Sequence, residues 1–211
     1  SRHNLTYLKV EQLWEMATNA RGISEAITAE IPTTRAENTQ FHIFRPSISG
    51  EEHYALEIGR IDRDQPTLVR IHSACFTGDV LGSLKCDCGA QLHAATQMIN
   101  DQGGGLLIYL NQEGRGIGLA NKIRAYALQD QGFDTVEANH RLGFEDDERD
   151  FQLGATILKE MRIAKIKLIT NNPSKISTME KYNITVSERI PLPVGQNETN
   201  LSYLKTKANQ S

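Results

Sequence analysis

The chain has 211 residues, 23 Lys and Arg against 26 Asp and Glu, a net charge of −3 and a hydrophobic content of 39%. That length buries one good-sized core, and the charge balance excludes the basic footprint of a duplex nucleic-acid binder. No apolar run nears the roughly 20 residues of a membrane span and no leader pattern opens the chain, so the expectation is a cytoplasmic protein with neither nucleic acid nor membrane as partner.

Residues 1–35 read as a polar, partly helical lead-in, with Leu13, Trp14, Met16 and Ala17 at loosely helical spacing. Residues 41–44 and 54–58 alternate as strands on either side of a turn cluster over 46–52, and residues 67–72 form a third strand that runs into Cys75. Helices are expected over 90–100, 119–129, 148–161 and 174–182, with strands over 106–110, 166–170 and 184–189 between them. Strands alternating with helices of this length predict an α/β architecture (mixed α+β) with a β-rich lead-in. From Gly195 onward the tail is polar, and a poorly ordered end is expected.

The three cysteines of the chain, Cys75, Cys86 and Cys88, fall within one short stretch. Three thiols suit a zinc ion whose fourth position stays open, the layout of a catalytic centre. Two other readings stand beside it. A Cys86–Cys88 disulfide closes a very tight ring and strands Cys75, and an odd cysteine count without a leader argues for a reducing compartment. His72, three residues before Cys75, completes a closed Cys₃His structural site instead.

In open α/β folds ligands sit beyond the carboxyl ends of strands, which singles out three junctions. At Arg70 to Cys75, Arg70 and His72 share one strand face and Ile71 takes the other; Arg70 is either a surface residue or a phosphate contact. At Gln112 to Gly118, glycines allow close approach of the backbone to a ligand, and the following helix offers free N–H groups to phosphate. There Arg115 is a bidentate phosphate donor, while Glu113 suits Mg²⁺ or the donor edge of a base; a glycine-rich helix cap explains the same residues. At Thr170 to Lys175, Asn172 and Pro173 read as a helix cap, leaving Lys175 as a phosphate contact or a solvated side chain. The acidic run 145–150 reads either as a solvated helix start or as a general base, Asp147, two positions from a phosphate-facing Arg149.

Together these segments resemble GTP cyclohydrolase II of riboflavin synthesis. The resemblance rests on Arg70 to Asp79, Lys85 to Gly89, Gln112 to Arg115, Asn121 to Gly132, Asp147 to Asp150 and Leu168 to Pro173. It covers residues 38–207 and implies a catalytic domain over 38–195 between an amino-terminal extension (1–37) and a polar tail (196–211). It implies Cys75, Cys86 and Cys88 as zinc ligands, Mg²⁺ on a triphosphate and a homodimer. It further implies a GTP site made of Arg70, Ile71, His72, Ser73, Ala74, Gln91, Glu113, Gly114, Arg115, Thr135, Thr170 and Lys175. Asp147 matches the proton acceptor, Arg149 the nucleophile toward the α-phosphate, and Tyr126 a tyrosine assisting ring opening; by spacing alone Tyr126 is a core residue. The implied reaction opens the guanine ring at C8, releases formate and pyrophosphate, and leaves 2,5-diamino-6-ribosylamino-4(3H)-pyrimidinone 5′-phosphate. The chain departs from the family at Ala74, where Glu is usual, which raises the alternative of a degenerate paralogue that binds guanine nucleotides with reduced or partial turnover. A closed structural cysteine knot in a phosphate-binding module is the reading from a different class. The lack of His-x-Glu and Pro-Cys-x-x-Cys signatures argues against a zinc base deaminase.

Overall fold

The computed structural model of the chain describes residues 22–46, 50–131, 143, 150–196 and 200, Arg115 among them by its backbone only. Strands β1 (Ile23–Glu30), β2 (Thr39–Pro46) and β3 (His53–Gly59) form an antiparallel meander. Strand β4 (Thr67–Ser73) leads through a short helix α1 (Phe76–Asp79) and helix α2 (Cys88–Asp101) to β5 (Gly104–Leu110). A 3₁₀ turn (Glu113–Gly116) and helix α3 (Leu119–Gln129) follow, and helix α4 (Gln152–Glu160), β6 (Lys165–Ile169), α5 (Ser174–Lys181) and β7 (Thr185–Ile190) complete the described elements.

The strands make one 7-stranded sheet in the order β1-β2-β3-β5-β4-β6-β7. Strand β5 runs antiparallel to β3 and parallel to β4, and β4, β6 and β7 continue in parallel. Period-two alternation divides the apolar residues between two cores. On one face Val69, Ile71, Leu106 and Ile108 pack with Ala155, Ile157 and Leu158 of α4 and Met179 of α5. On the other, Leu68 and Leu107 pack with Ala95 and Ile99 of α2. Covered on both faces, β4 is buried along all but its last residue, its polar Thr67, Arg70 and His72 included.

The connection from β4 crosses one face to β5; the chain then returns across the opposite face to β6, on the far side of β4. In a sheet wound this way ligands bind beyond the carboxyl ends of the strands, where the loops leaving β4 and β5 lie. That is where the cysteines lie.

The expected strands and helices are found with their ends shifted by a few residues, and helix α4 begins at Gln152, within the 148–161 helix read from the sequence. The larger difference is at the amino end. Residues 23–30, inside the stretch read as a polar and partly helical lead-in, form β1 and pair with β2. The helical spacing around Trp14 lies outside the described residues.

Candidate functional site

Ala74 donates its amide to Leu110 O at 2.8 Å, which ties the exit of β4 to the end of β5 and sets Cys75 beside that junction. The chain turns through α1, and Cys86 and Cys88 return at the start of α2. The three sulfurs lie within 4.8 Å of one another, and Cys75 Sγ stands 3.7 Å from Cys86 Sγ. A disulfide requires about 2.05 Å, whereas thiolates at about 2.3 Å from a shared tetrahedral ion lie about 3.8 Å apart. The cluster therefore has a geometry that could hold a metal, and with all three cysteines free the Cys86–Cys88 disulfide is not formed.

Gly78 lets the loop close. A Cβ there would stand 2.7 Å from Cys86 Sγ and 3.2 Å from Cys75 Sγ. Among the described residues no further His, Cys, Asp or Glu joins the three thiols. His72 is turned away: its Nε2 donates to the Asp79 carboxylate at 3.1 Å, and its ring stacks on Tyr109 with centroids 5.5 Å apart. Burial holds the imidazole below its ordinary pKa, although Asp79 opposes the shift. The Cys₃His alternative is not what the described residues form.

Asp79 organises the loop from beneath. Its side chain is 3% exposed and accepts from His72, from the Cys75 amide at 3.0 Å and from the Tyr109 hydroxyl at 2.9 Å. Burial, with Asp79 next in order, raises the Tyr109 phenol above its usual range. Lys122, in α3, donates to Cys75 Sγ at 3.0 Å and to Glu113 Oε1 at 2.9 Å. Burial favours the neutral amine at Lys122, but Cys75 and Glu113 outweigh it and hold the ammonium. Hydrogen bonds from Cys86 and Cys88, followed by the pull of Lys122, hold Cys75 far below the ordinary thiol range. The same bonds to Cys75 hold Cys86 and Cys88 up. A metal would take all three as thiolates and release their protons.

Tyr126 borders the cluster rather than the core. Lys85 Nζ and Lys122 Nζ lie 5.2 and 5.8 Å from its ring centroid, and burial pushes its phenol up to about 12.

The remaining expected residues fall into three sets. Glu113 and Gly114 sit in the 3₁₀ turn beside the thiols, and Glu113 Oε2 accepts from the Phe76 amide at 2.6 Å. Arg70 and Gln91 form a buried chain: Arg70 donates to Ile169 O at 3.1 Å and to Gln91 Oε1 at 2.7 Å, while Gln91 donates to Asp87. Lys175 donates to Ile71 O at 3.1 Å and lies 4.6 Å from the Phe151 ring centroid. Ile71 is 1% exposed, so its side chain belongs to the core. Thr170 Oγ1 closes the turn onto Asn172 O. The buried atoms His72 Nδ1, Ser73 Oγ and Gln112 Oε1 have no hydrogen-bond partner among the described residues. Thr135, Asp147 and Arg149 lie outside the described residues. Asp79 and Lys122 were absent from the expected set; in sequence an acid in a short loop and a lysine in a helix look like solvated residues.

A sequence profile described as GTP cyclohydrolase II matches residues 24–191. The GTP cyclohydrolase-2 of Shewanella frigidimarina is 56% identical over 169 residues, 80% of this chain and 84% of that protein. The riboflavin biosynthesis protein RibBA of Cytophaga hutchinsonii is 45% identical over 208 residues, 98% of this chain and 51% of that protein. RibBA of Bacillus cereus is 47% identical over 206 residues, 96% of this chain and 52% of that protein. The chain spans about half the length of these RibBA relatives. A solved two-domain 3,4-dihydroxy-2-butanone 4-phosphate synthase, RibBX of A. baumannii, aligns over 91% of this chain and 52% of that one. With 15% identity and a TM-score of 0.42 that likeness is too weak to carry an argument.

Proposed function

Because the chain belongs to the GTP cyclohydrolase II family, we propose that it hydrolyses GTP at C8, releasing formate and pyrophosphate and leaving 2,5-diamino-6-ribosylamino-4(3H)-pyrimidinone 5′-phosphate for riboflavin synthesis. The observation that carries this reading is the trio of clustered sulfurs, joined by no fourth protein ligand among the described residues. Zinc fits that set, and when bound it supplies Lewis-acid activation of water at neutral pH. Cys75, Cys86 and Cys88 would hold it.

The chain's own residues do the rest. Glu113 and Gly114, on the turn after β5, receive the guanine in this reading, and Arg115 is assigned to the phosphates. His72 Nδ1 and Ser73 Oγ, buried and without described partners, are available to a ligand at the end of β4. The cations Arg70, Arg115, Arg149 and Lys175 offset the triphosphate charge that a net −3 chain would repel, and Mg²⁺ accompanies the triphosphate. Arg70 and Gln91 enter this reading as a scaffold beneath the thiols or, after rearrangement, as contacts. Thr135 and Thr170 complete the phosphate side. Asp147 accepts a proton; Arg149 attacks the α-phosphate, the bond to the β-phosphate oxygen breaks to release pyrophosphate, and water then hydrolyses the nitrogen–phosphorus bond to free the 5′-phosphate and Arg149. The Tyr126 phenol, protonated at neutral pH, donates during ring opening. A homodimer in the cytoplasm is part of the same proposal; among the described residues no helix is long and apolar enough to cross a membrane.

The reading is tested by following formate and pyrophosphate from GTP with the zinc-loaded chain, before and after chelation. We expect both products, and loss of formate on chelation. A folded, zinc-loaded chain that forms no formate overturns it. Pyrophosphate without formate would instead identify the partial-turnover paralogue suggested by Ala74.

A further inference from the structure

We infer that Lys122 is a positioning residue of the metal centre, holding the Cys75 sulfur through an N–H···S hydrogen bond that limits how much charge this thiolate gives the metal. The inference rests on the proposed metal site and goes beyond its three ligands. Lys122 is 9% exposed, in the first turn of α3, and its ammonium links the loops after β4 and β5. One N–H reaches Cys75 Sγ at 3.0 Å, on the loop after β4; another reaches Glu113 Oε1 at 2.9 Å, on the turn after β5. Glu113 in turn accepts the amide of Phe76, the residue after Cys75, so ammonium, carboxylate and backbone close a ring around one ligand.

A buried ammonium is costly unless its charge is met, and a helix that needed only packing would carry Leu or Met here. Three thiolates around a divalent cation leave the centre at −1, and Glu113 adds a further negative charge. Lys122 offsets one of these charges at the sulfur itself. A hydrogen bond from a cation draws electron density from sulfur, weakens its donation and leaves the metal a stronger Lewis acid. Cys86 and Cys88 have no such donor among their described contacts, so the effect is confined to Cys75. If Lys122 only braced Glu113, the electronic state of the cluster would not depend on it.

Cobalt(II) loaded in place of zinc reads that state directly. In Lys122→Met we expect the thiolate-to-cobalt charge-transfer band at longer wavelength than in the unaltered chain. We also expect iodoacetamide to alkylate Cys75 of the loaded protein roughly tenfold faster, as for loss of one charge-assisted hydrogen bond at the nucleophile, with Cys86 and Cys88 little changed by peptide mapping. Lys122→Arg should return both readouts toward the original. The double variant Lys122→Met with Glu113→Gln removes the stranded carboxylate and serves where the single variant does not fold. An unshifted band with unchanged Cys75 reactivity overturns the inference. Failure of both folded variants to load cobalt also overturns it, since freeing a thiolate to donate more strongly does not abolish binding. If the unaltered chain takes up no cobalt or zinc, the metal reading itself falls.

Discussion

Asp79 accepts three hydrogen bonds, from His72, Tyr109 and the Cys75 amide, with its side chain 3% exposed. Removing the carboxylate leaves three buried donors unpaired, each costing about 1–3 kcal/mol before relaxation. We expect Asp79→Ala to lower the unfolding free energy by roughly 3 kcal/mol in urea and to reduce bound zinc, because the Cys75 amide loses its anchor. A variant with unchanged stability and zinc content would remove Asp79 from the account. Ala74 poses the complementary test. The residue is 9% exposed beside Cys75, and Ala74→Glu restores the family's usual carboxylate; a large gain in formate release at unchanged zinc content would assign the chain to the paralogue reading. At this scale the cysteine cluster was legible because three thiols in one stretch are rare. Asp79 and Lys122 were not, since their significance lies in partners brought together by the crossovers. Sequence periodicity placed Arg70 and His72 on one strand face, yet gave no sign that Arg70 would be held by Ile169 O and Gln91.

Strand β1 was hidden in the sequence for a physical reason. As an edge strand it buries Ile23 alone of its eight residues, so it lacks the period-two apolar signal that revealed β2 and β3. Strand β5 was legible because burial on both faces gives it a near-continuous apolar run, and helices α2 and α4 because each covers one sheet face. The element junctions were less legible, and His53 shows what they hold. At the start of β3, His53 Nδ1 accepts the Asn111 amide at 3.1 Å, joining the meander to the loop that leads into the 3₁₀ turn. Burial lowers its pKa from the ordinary 6.5, against Glu51 and Asp150, which raise it. The unfolded chain therefore takes up a proton as pH falls through 6.5 while the folded chain does not, and stability drops with acidification until the folded pKa is reached. We expect His53→Gln, which keeps an acceptor for Asn111, to flatten the loss of urea stability between about pH 7 and pH 5. An identical acid limb in variant and unaltered chain would show that His53 does not contribute.

The whole molecule bears on whether the cysteine centre is catalytic or structural. Neither apolar core, one against α4 and α5 and the other against α2, includes a cysteine. The cysteines sit on a loop and a helix start beyond the strand ends, and Asp79, Glu113 and Lys122 already tie that loop down. A centre of this kind adds stability by mass action rather than by nucleating the fold: about 4 kcal/mol when free metal exceeds its dissociation constant a thousandfold. At roughly 2–4 °C per kcal/mol for a chain of this size, chelation should lower the melting temperature by about 8–16 °C while leaving the far-UV circular dichroism at 25 °C intact. Readdition of zinc should restore the lost degrees. A structural knot behaves otherwise, because its folding free energy is its metal-binding free energy; chelation would then abolish the helical signal at 25 °C. That collapse would move the centre from catalysis to architecture and take the proposed hydrolysis with it.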